Sequence, residues 1–292
     1  MCYINPMLKY LLKGMRPRQW TKNAFVFAAL VFDRQLFNLA SLERTFLAFV
    51  VFCLISGSVY LINDIFDINA DRLHPVKKER PIASGKLPVR TALIAAVLVS
   101  ILALAVAYVL SLELMLIALL YLLINLAYSR WLKNVVLLDV LVIAFGFVLR
   151  VAAGVSVIHV QRFSPWLYVC MTLLALYLGF GKRRAEMAYN NNDTRRVLEG
   201  YSIALIDQLL TIVSATTIIA YSLYTFSAPN LPGSYLMMLT IPFVLYGIFR
   251  YLYLIQIKNA GGEPEELLLK DRPLQVTVLL WGLACIAIFY FA

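Results

Sequence analysis

Asn63, Asp64, Asp67 and Asp71 stand close together in the run Tyr60-Leu-Ile-Asn63-Asp64-Ile-Phe-Asp67-Ile-Asn-Ala-Asp71-Arg72, at the end of an apolar stretch. On a helix turning about 100° per residue the four fall within an arc of about 100°, so they share one face. Three carboxylates at that spacing repel one another unless a cation lies between them. A solvated helix end is the plain alternative, but it would not put every acid on one stripe beside Leu61, Ile62 and Ile65. A set of hard oxygen donors without His or Cys favours Mg²⁺, which keeps several waters and commonly bridges carboxylates to substrate phosphates. Directly after the acids come Arg72, His74, Lys77, Lys78, Arg80 and Lys86. Acids for a metal beside cations for phosphate oxygens are the two parts that a diphosphate leaving group requires. His74 is either a base or a hydrogen-bonding structural residue of this basic loop.

The elements that must position these residues are membrane helices. Of the 292 residues 62% are hydrophobic and 14% charged, and the mean hydropathy is +0.81, which leaves too little polar surface to cover a soluble globule. No stretch has the composition of a soluble or disordered domain, so a single polytopic membrane domain over 1–292 is expected. Nine stretches reach the length of a span: 23–40, 44–66, 90–110, 112–129, 135–156, 164–181, 204–226, 234–257 and 273–291. The first is the weakest, and residues 3–15 before it suit an amphipathic helix within an N-terminal segment 1–22. With a cytoplasmic N-terminus, 21 of the 26 Lys and Arg fall on the cytoplasmic side, and only Arg34, Arg44 and Arg162 fall in the opposite loops. That asymmetry supports the helix count, a multi-pass plasma (inner) membrane protein with its C-terminus on the opposite side, and cytoplasmic loops at 72–90 and 182–203. The net charge of +10 is explained by topology and anionic lipid, or by phosphorylated substrates, and calls for no nucleic acid. Cys2, Cys53, Cys170 and Cys285 are far apart, and the last three lie in apolar runs, so no disulfide, zinc or redox role is inferred. No apolar core followed by a small-residue cleavage site marks a signal peptide.

Within the spans, Asp139, Ile143, Gly146 and Arg150 fall on one helix face, with Arg150 about 16 Å along the axis from Asp139. An intramembrane Arg faces a bundle interior and has a partner, here either a structural ion pair or carbonyl cap, or else the wall of a substrate cavity. Gly146 and Gly154 are read as close-packing positions.

The acid run and the Arg80-Pro81-Ile82-Ala83-Ser84-Gly85 stretch after it resemble the UbiA superfamily of intramembrane prenyltransferases, whose first motif is NDxxDxxxD. A second element, Tyr128-Ser129 with Leu132-Lys133 and Asp139, is similar to the same superfamily. The resemblance covers the whole chain and implies an all-α bundle of nine transmembrane helices with a cytoplasm-facing active site. Prenyl-transferring members carry another Asp-rich motif between the sixth and seventh helices. Here that stretch reads Gly181-Lys182-Arg183-Arg184-Ala185-Glu186, with cations in place of acids. Together with Arg16-Pro17-Arg18-Gln19-Trp20-Thr21-Lys22-Asn23, and with Glu263-Pro-Glu265-Glu266 and Asp271-Arg272, it resembles a phosphoribosyl-transferring branch of the superfamily. In that branch the donor is 5-phosphoribosyl 1-diphosphate and the acceptor a polyprenyl phosphate of the decaprenyl type, used in cell-wall biosynthesis.

The resulting expectation assigns Mg²⁺ and the donor diphosphate to Asn63, Asp64, Asp67 and Asp71, with the three aspartates as the catalytic set. Lys22, Arg18, Lys133 and Arg72 are candidates for the lipid phosphate, and Lys182, Arg183 and Arg184 for the ribose 5-phosphate. Lys78, Arg80, Tyr128, Asp139 and Glu186 complete the substrate-binding set. The lipid phosphate attacks C1 opposite the leaving group and inverts it; being ionised at pH 7, it needs no strong base. The rivals are a prenyltransferase acting on an aromatic acceptor, which predicts an acidic motif over 182–190, and a transporter, which predicts inverted repeats or broken mid-membrane helices. A homo-oligomer is compatible with the chain.

Overall fold

In the computed structural model every regular element among the described residues is helical. Those residues are 6–158, 164–188, 196–228, 231, 232, 234–258, 267, 268 and 270–291. Cys2, Arg162, Glu263, Glu265 and Glu266 lie outside them, as do residues 3–5 of the expected amphipathic helix and 189–195 of the expected loop. Among the described residues eight helical stretches are long and apolar enough to cross a membrane. The chain divides into two compact units: Met1–Leu30, Gln35–Lys133 and Leu149–His159 form the first, and Val31–Arg34, Asn134–Val148 and Val160–Ala292 the second.

The first unit is built on α3, Leu39–Phe66, against which α5 (Val89–Leu110), α6 (Leu112–Arg130), α1 (Pro6–Gly14) and a 3₁₀ segment (Pro17–Phe27) pack. Asn38 caps α3 by accepting from the Ser41 amide at 3.2 Å. On α5, Ala92, Ala96, Ser100, Ala103 and Ala107 make one buried stripe, while Leu93, Ile94, Val97, Leu98, Ile101 and Leu102 are exposed. Small residues let the helix axes approach, and the large apolar ones suit lipid.

The expected first span differs from the structure. Residues 17–27 form 3₁₀ helix and only Ala28–Phe32 (α2) are α-helical, with Arg34 in the left-handed region at φ 58°. Pro17 opens the segment, and Trp20, Thr21, Asn23, Phe25, Val26 and Phe27 are poor α-formers. Three residues per turn align every third side chain, and Asn23, Val26 and Ala29 are accordingly buried in succession. The segment runs antiparallel to α3: Arg16 contacts Asp64, while Asn23 further on bonds Ser56 at 3.2 Å, about two turns earlier on α3. The second half of α7 (Leu138–Val157) lies against it at Gly154, where a Cβ would stand 2.0 Å from the Val26 carbonyl oxygen.

The second unit holds the first half of α7 with α8 (Pro165–Ala188), α9 (Ile203–Ser227), α10 (Ile241–Gln256) and α11 (Arg272–Phe291). Its core includes Val140, Tyr177, Phe180, Ile206, Leu210, Ile248, Tyr251 and Ile255, and the buried Tyr177 hydroxyl donates to the Ile248 carbonyl at 2.8 Å. Asp271 caps α11 through the Leu274 amide at 3.0 Å and accepts a bidentate pair from Arg250 on α10, from Nε at 3.2 Å and a terminal nitrogen at 2.8 Å. The Arg250 bond, and then the Leu274 amide, hold the Asp271 carboxyl below its ordinary value. A depressed carboxylate stabilises the fold above its unfolded pKa of about 3.9, and that contribution is lost as pH falls through the folded value. Asp271→Ala is therefore expected to lower the thermal midpoint at pH 7, by about 1 kcal/mol from the lost cap alone, with the gap to wild type closing below about pH 4. Equal gaps at pH 7 and pH 3 in a thermal-unfolding series would remove the ion pair from this account.

Candidate active site

The acid run does not continue as one helix. At Asp67, φ −93° and ψ 6°, α3 ends and a short α4 (Ile68–Leu73) begins. The i to i+4 bonds nevertheless carry across the break, from the Asp67 amide to the Asn63 carbonyl at 2.9 Å and from the Asp71 amide to the Asp67 carbonyl at 2.8 Å. The helical backbone ladder thus continues through the change of element. Asp64 and Asp71 are 1% and 3% exposed, which rules out a solvated helix end.

Each carboxylate has a cation. Arg16 and Arg80 both donate to Asp64 Oδ1, Arg80 at 3.2 Å, and Arg80 also donates to Asp71 Oδ2 at 2.6 Å. Lys133 donates to Asp67 Oδ1 at 2.5 Å, and the Asn63 amide nitrogen to Asp67 Oδ2 at 3.1 Å. Asp64 Oδ2 is buried with no hydrogen-bond partner. A buried carboxylate oxygen left without a donor is costly unless a cation reaches it. Among the described residues no three His, Cys, Asp or Glu side chains, the three aspartates of the acid run included, are placed together to hold a metal ion.

Arg16 is the residue that sequence reasoning missed. It sits in the left-handed region at φ 54°, just before Pro17, and its guanidinium lies 4.9 Å over the Tyr60 ring. The left-handed turn aims the side chain at α3; in the sequence Arg16 is named only as the start of the Arg16 to Asn23 stretch, and the Gly14-Met-Arg16-Pro17 punctuation is the one sign of the turn. Arg72, by contrast, donates Nε to the Ala83 carbonyl at 3.3 Å and braces the Arg80 to Gly85 stretch. Arg18 and Lys78 are exposed, and Lys22 and Tyr128 half-buried.

His74 belongs to the loop. Its Nδ1 accepts from the Val76 amide at 3.1 Å and the Lys77 amide at 3.2 Å, so it caps the turn that carries Lys77 to Arg80. His74→Asn, which keeps a short acceptor, is expected to retain most activity, and His74→Ala to lose about 1 kcal/mol of stability. Abolished turnover in a folded His74→Asn protein would restore the base reading.

Deeper in the first unit, Arg150 is buried and donates Nε to Asn23 Oδ1 and a terminal nitrogen to the Tyr121 hydroxyl, both at 2.8 Å. Asn23 in turn donates to Ser56 at 3.2 Å and to the Cys53 sulfur at 3.4 Å. Of the two readings left open for Arg150, the structure displays a structural network, which ties α7, α6 and α3 to the 3₁₀ segment.

In the second unit, Lys182 to Ala188 are the last turns of α8 rather than the start of a loop. Arg183 is 1% exposed; its Nε meets Asp139 at 2.6 Å and its terminal nitrogen meets Glu186. Arg184 bonds Asp207 at 2.6 Å and the Ile255 carbonyl at 3.1 Å. Two of the three cations expected on a phosphate thus hold carboxylates within the unit, because a buried guanidinium needs them. Lys182 is half-buried.

Comparison with known proteins follows the same lines. The model of the UbiA prenyltransferase family matches residues 24–270. The chain is 34% identical over 298 residues to a decaprenyl-phosphate phosphoribosyltransferase of Mycolicibacterium smegmatis, covering 97% of this chain and 93% of that one. It is also 34% identical to the protein of the same name from Mycobacterium tuberculosis, over 93% and 91% of the two chains. A solved UbiA homologue from Archaeoglobus fulgidus, bound to GPP and Mg²⁺, superposes with a TM-score of 0.75 at 21% identity, covering 96% of this chain and 99% of that one.

Proposed function

The chain belongs to the UbiA prenyltransferase family, and from that premise we propose that it transfers 5-phosphoribose from 5-phosphoribosyl 1-diphosphate to a polyprenyl phosphate, releasing diphosphate. The observation that carries this reading is the 34% identity to decaprenyl-phosphate phosphoribosyltransferases over nearly the full length of both chains. The A. fulgidus homologue bound to GPP shares the fold at 21% identity, and the acids that prenyl transfer calls for over 182–190 are largely replaced, with Lys182, Arg183 and Arg184 at the start of that stretch.

Asp64, Asp67 and Asp71, with Asn63, are the residues that would hold Mg²⁺ with the donor diphosphate. When bound, the ion neutralises charge that grows on the leaving group as the C1–O bond breaks. Arg80 and Lys133 stand beside those acids and supply charge-assisted bonds to phosphate oxygens. Lys22, Arg18, Arg72 and Lys78 give the first unit a basic approach for the lipid phosphate, which is already an anion and attacks C1 from the opposite face without a general base. In the second unit Arg183 and Arg184 hold the end of α8, and Lys182 is the member of that run proposed for the ribose 5-phosphate. The 3₁₀ segment with α2 rises about 30 Å, 2.0 Å for each 3₁₀ residue and 1.5 Å for each α residue, and so serves as a ninth crossing. A ninth crossing and the Lys and Arg distribution support a cytoplasmic N-terminus and acid run at the inner membrane, with the C-terminus opposite.

The test is transfer of label from 5-phosphoribosyl 1-diphosphate to a polyprenyl phosphate by the purified protein with Mg²⁺. Labelled lipid is expected. No label there, with transfer from a prenyl diphosphate to an aromatic acid, would replace this reading by the prenyltransferase one.

A further inference from the structure

The three carboxylates of the acid run meet three cations from three different parts of the first unit: Arg16 from the turn before the 3₁₀ segment, Arg80 from the loop after α4, and Lys133 from beyond α6. The set is electrically balanced. Asp64 and Asp71 are buried, whereas the side chains of Arg16, Arg80 and Lys133 remain 27%, 25% and 21% exposed. Asp64 and Asp71 are therefore fixed while Arg16 and Arg80 have room to turn; Asp67 and Lys133, 29% and 21% exposed, are both partly open.

We propose that Arg16, Arg80 and Lys133 are exchange partners: they neutralise the carboxylates in the protein as seen here and pass to diphosphate oxygens when a Mg²⁺–diphosphate complex arrives, so that metal and diphosphate bind together and neither binds well alone. Mg²⁺ by itself would add two positive charges to a neutral, half-buried set and meet three cations already on its ligands. Diphosphate by itself would draw the cations away and leave buried carboxylates facing an anion. Arriving together, each anion ends beside a cation, and the buried acids never lose a partner. The guanidinium fork fits phosphate as well as carboxylate, so Arg16 and Arg80 can make the change without losing their bonds. Arg16 has a further support, because the Tyr60 ring beneath it attracts the cation whichever anion it faces. Asp64 Oδ2, buried without a donor, is the atom already turned away from the exchanging arginines.

This rests on the reading that the acid run takes a metal-bound diphosphate, and not on which group the diphosphate carries. The experiment is calorimetric titration of the full chain in detergent with Mg²⁺ alone, with inorganic diphosphate alone, and with each in the presence of the other. Diphosphate is expected to tighten Mg²⁺ by about tenfold or more, and Mg²⁺ to tighten diphosphate by the same factor, since coupling is reciprocal. Arg16→Gln should bind Mg²⁺ alone more tightly than wild type and diphosphate more weakly, while Arg16→Lys keeps the coupling. Lys133→Gln is expected to do the same and serves if Arg16→Gln does not fold. Mg²⁺ affinity that is independent of diphosphate in the wild type, or equal weakening of both ligands in the Gln variants, overturns the proposal. Inorganic diphosphate is common to prenyl and phosphoribosyl donors. A failed phosphoribosyl-transfer assay would thus leave the coupling standing, and absent coupling would leave the transfer reading standing.

Discussion

Asp64→Asn is expected to lose about 10²–10³-fold in turnover, the order seen when one preorganised charge-stabilising group is removed from an active site. Asp64 is the one carboxylate that receives two arginines, and it also has an oxygen turned away from them. Its replacement removes a metal ligand and the shared anchor of Arg16 and Arg80 at once. The structure therefore predicts a second signature, a stability loss of about 1–3 kcal/mol in the absence of ligand, from the buried partners left behind. Asp67→Asn should match it in turnover but lose less stability, because Asp67 is 29% exposed and faces only Lys133 and Asn63. Transfer rates and ligand-free thermal midpoints of the two variants separate these effects. A folded Asp64→Asn protein with wild-type turnover would take the acid run out of the mechanism.

The acid run was legible because helical periodicity places residues 63, 64, 67 and 71 together before any tertiary contact is known. The bend at Asp67 was not, since it follows from how the end of α3 meets the loop after α4, and no Gly or Pro marks it. The eight long helices among the described residues could be read from apolar length alone, within three residues at their ends except that α3 starts five earlier and α8 runs seven further than expected. The first span could be read as apolar but not as 3₁₀, because that choice is made by packing every third side chain against α3 and by the Val26–Gly154 contact. Gly154 itself was recognised as a packing position for the reason the structure displays. Arg16 was passed over because charge near an N-terminus has a sufficient topological explanation, and only the left-handed turn before Pro17 gives it a target. Arg183 was the opposite case. Its cation run resembles a phosphate-binding stretch, yet helical continuation to Ala188 turns the middle member inward, where sequence spacing alone does not reveal that Asp139 is waiting.

That buried pair leads to the second large effect. Asp139 is fully buried and accepts from Arg183 at 2.6 Å and from the Tyr201 hydroxyl at 2.7 Å, while the same hydroxyl accepts the Leu137 amide at 2.7 Å. Burial, reinforced by the bond to Asp139, pushes the Tyr201 hydroxyl above its ordinary range, so it stays a donor throughout neutral pH. Leu137 sits at φ 68°, a backbone conformation uncommon for a β-carbon-bearing residue, and its bond to Tyr201 helps to hold it there. Removing one member of such a pair leaves a charge without compensation, so Arg183→Met is expected to cost about 3–5 kcal/mol, whereas replacing both members costs less than the sum of the single changes. Thermal unfolding of Arg183→Met, Asp139→Asn and the double variant in detergent measures that difference. If Arg183 were instead a phosphate ligand, Arg183→Met would raise the KM for the donor while leaving the thermal midpoint in place, and the double variant would recover nothing. Partial recovery in the double variant, with a KM for the donor close to wild type, would assign the pair to the architecture of α8 and leave phosphate recognition to its neighbours.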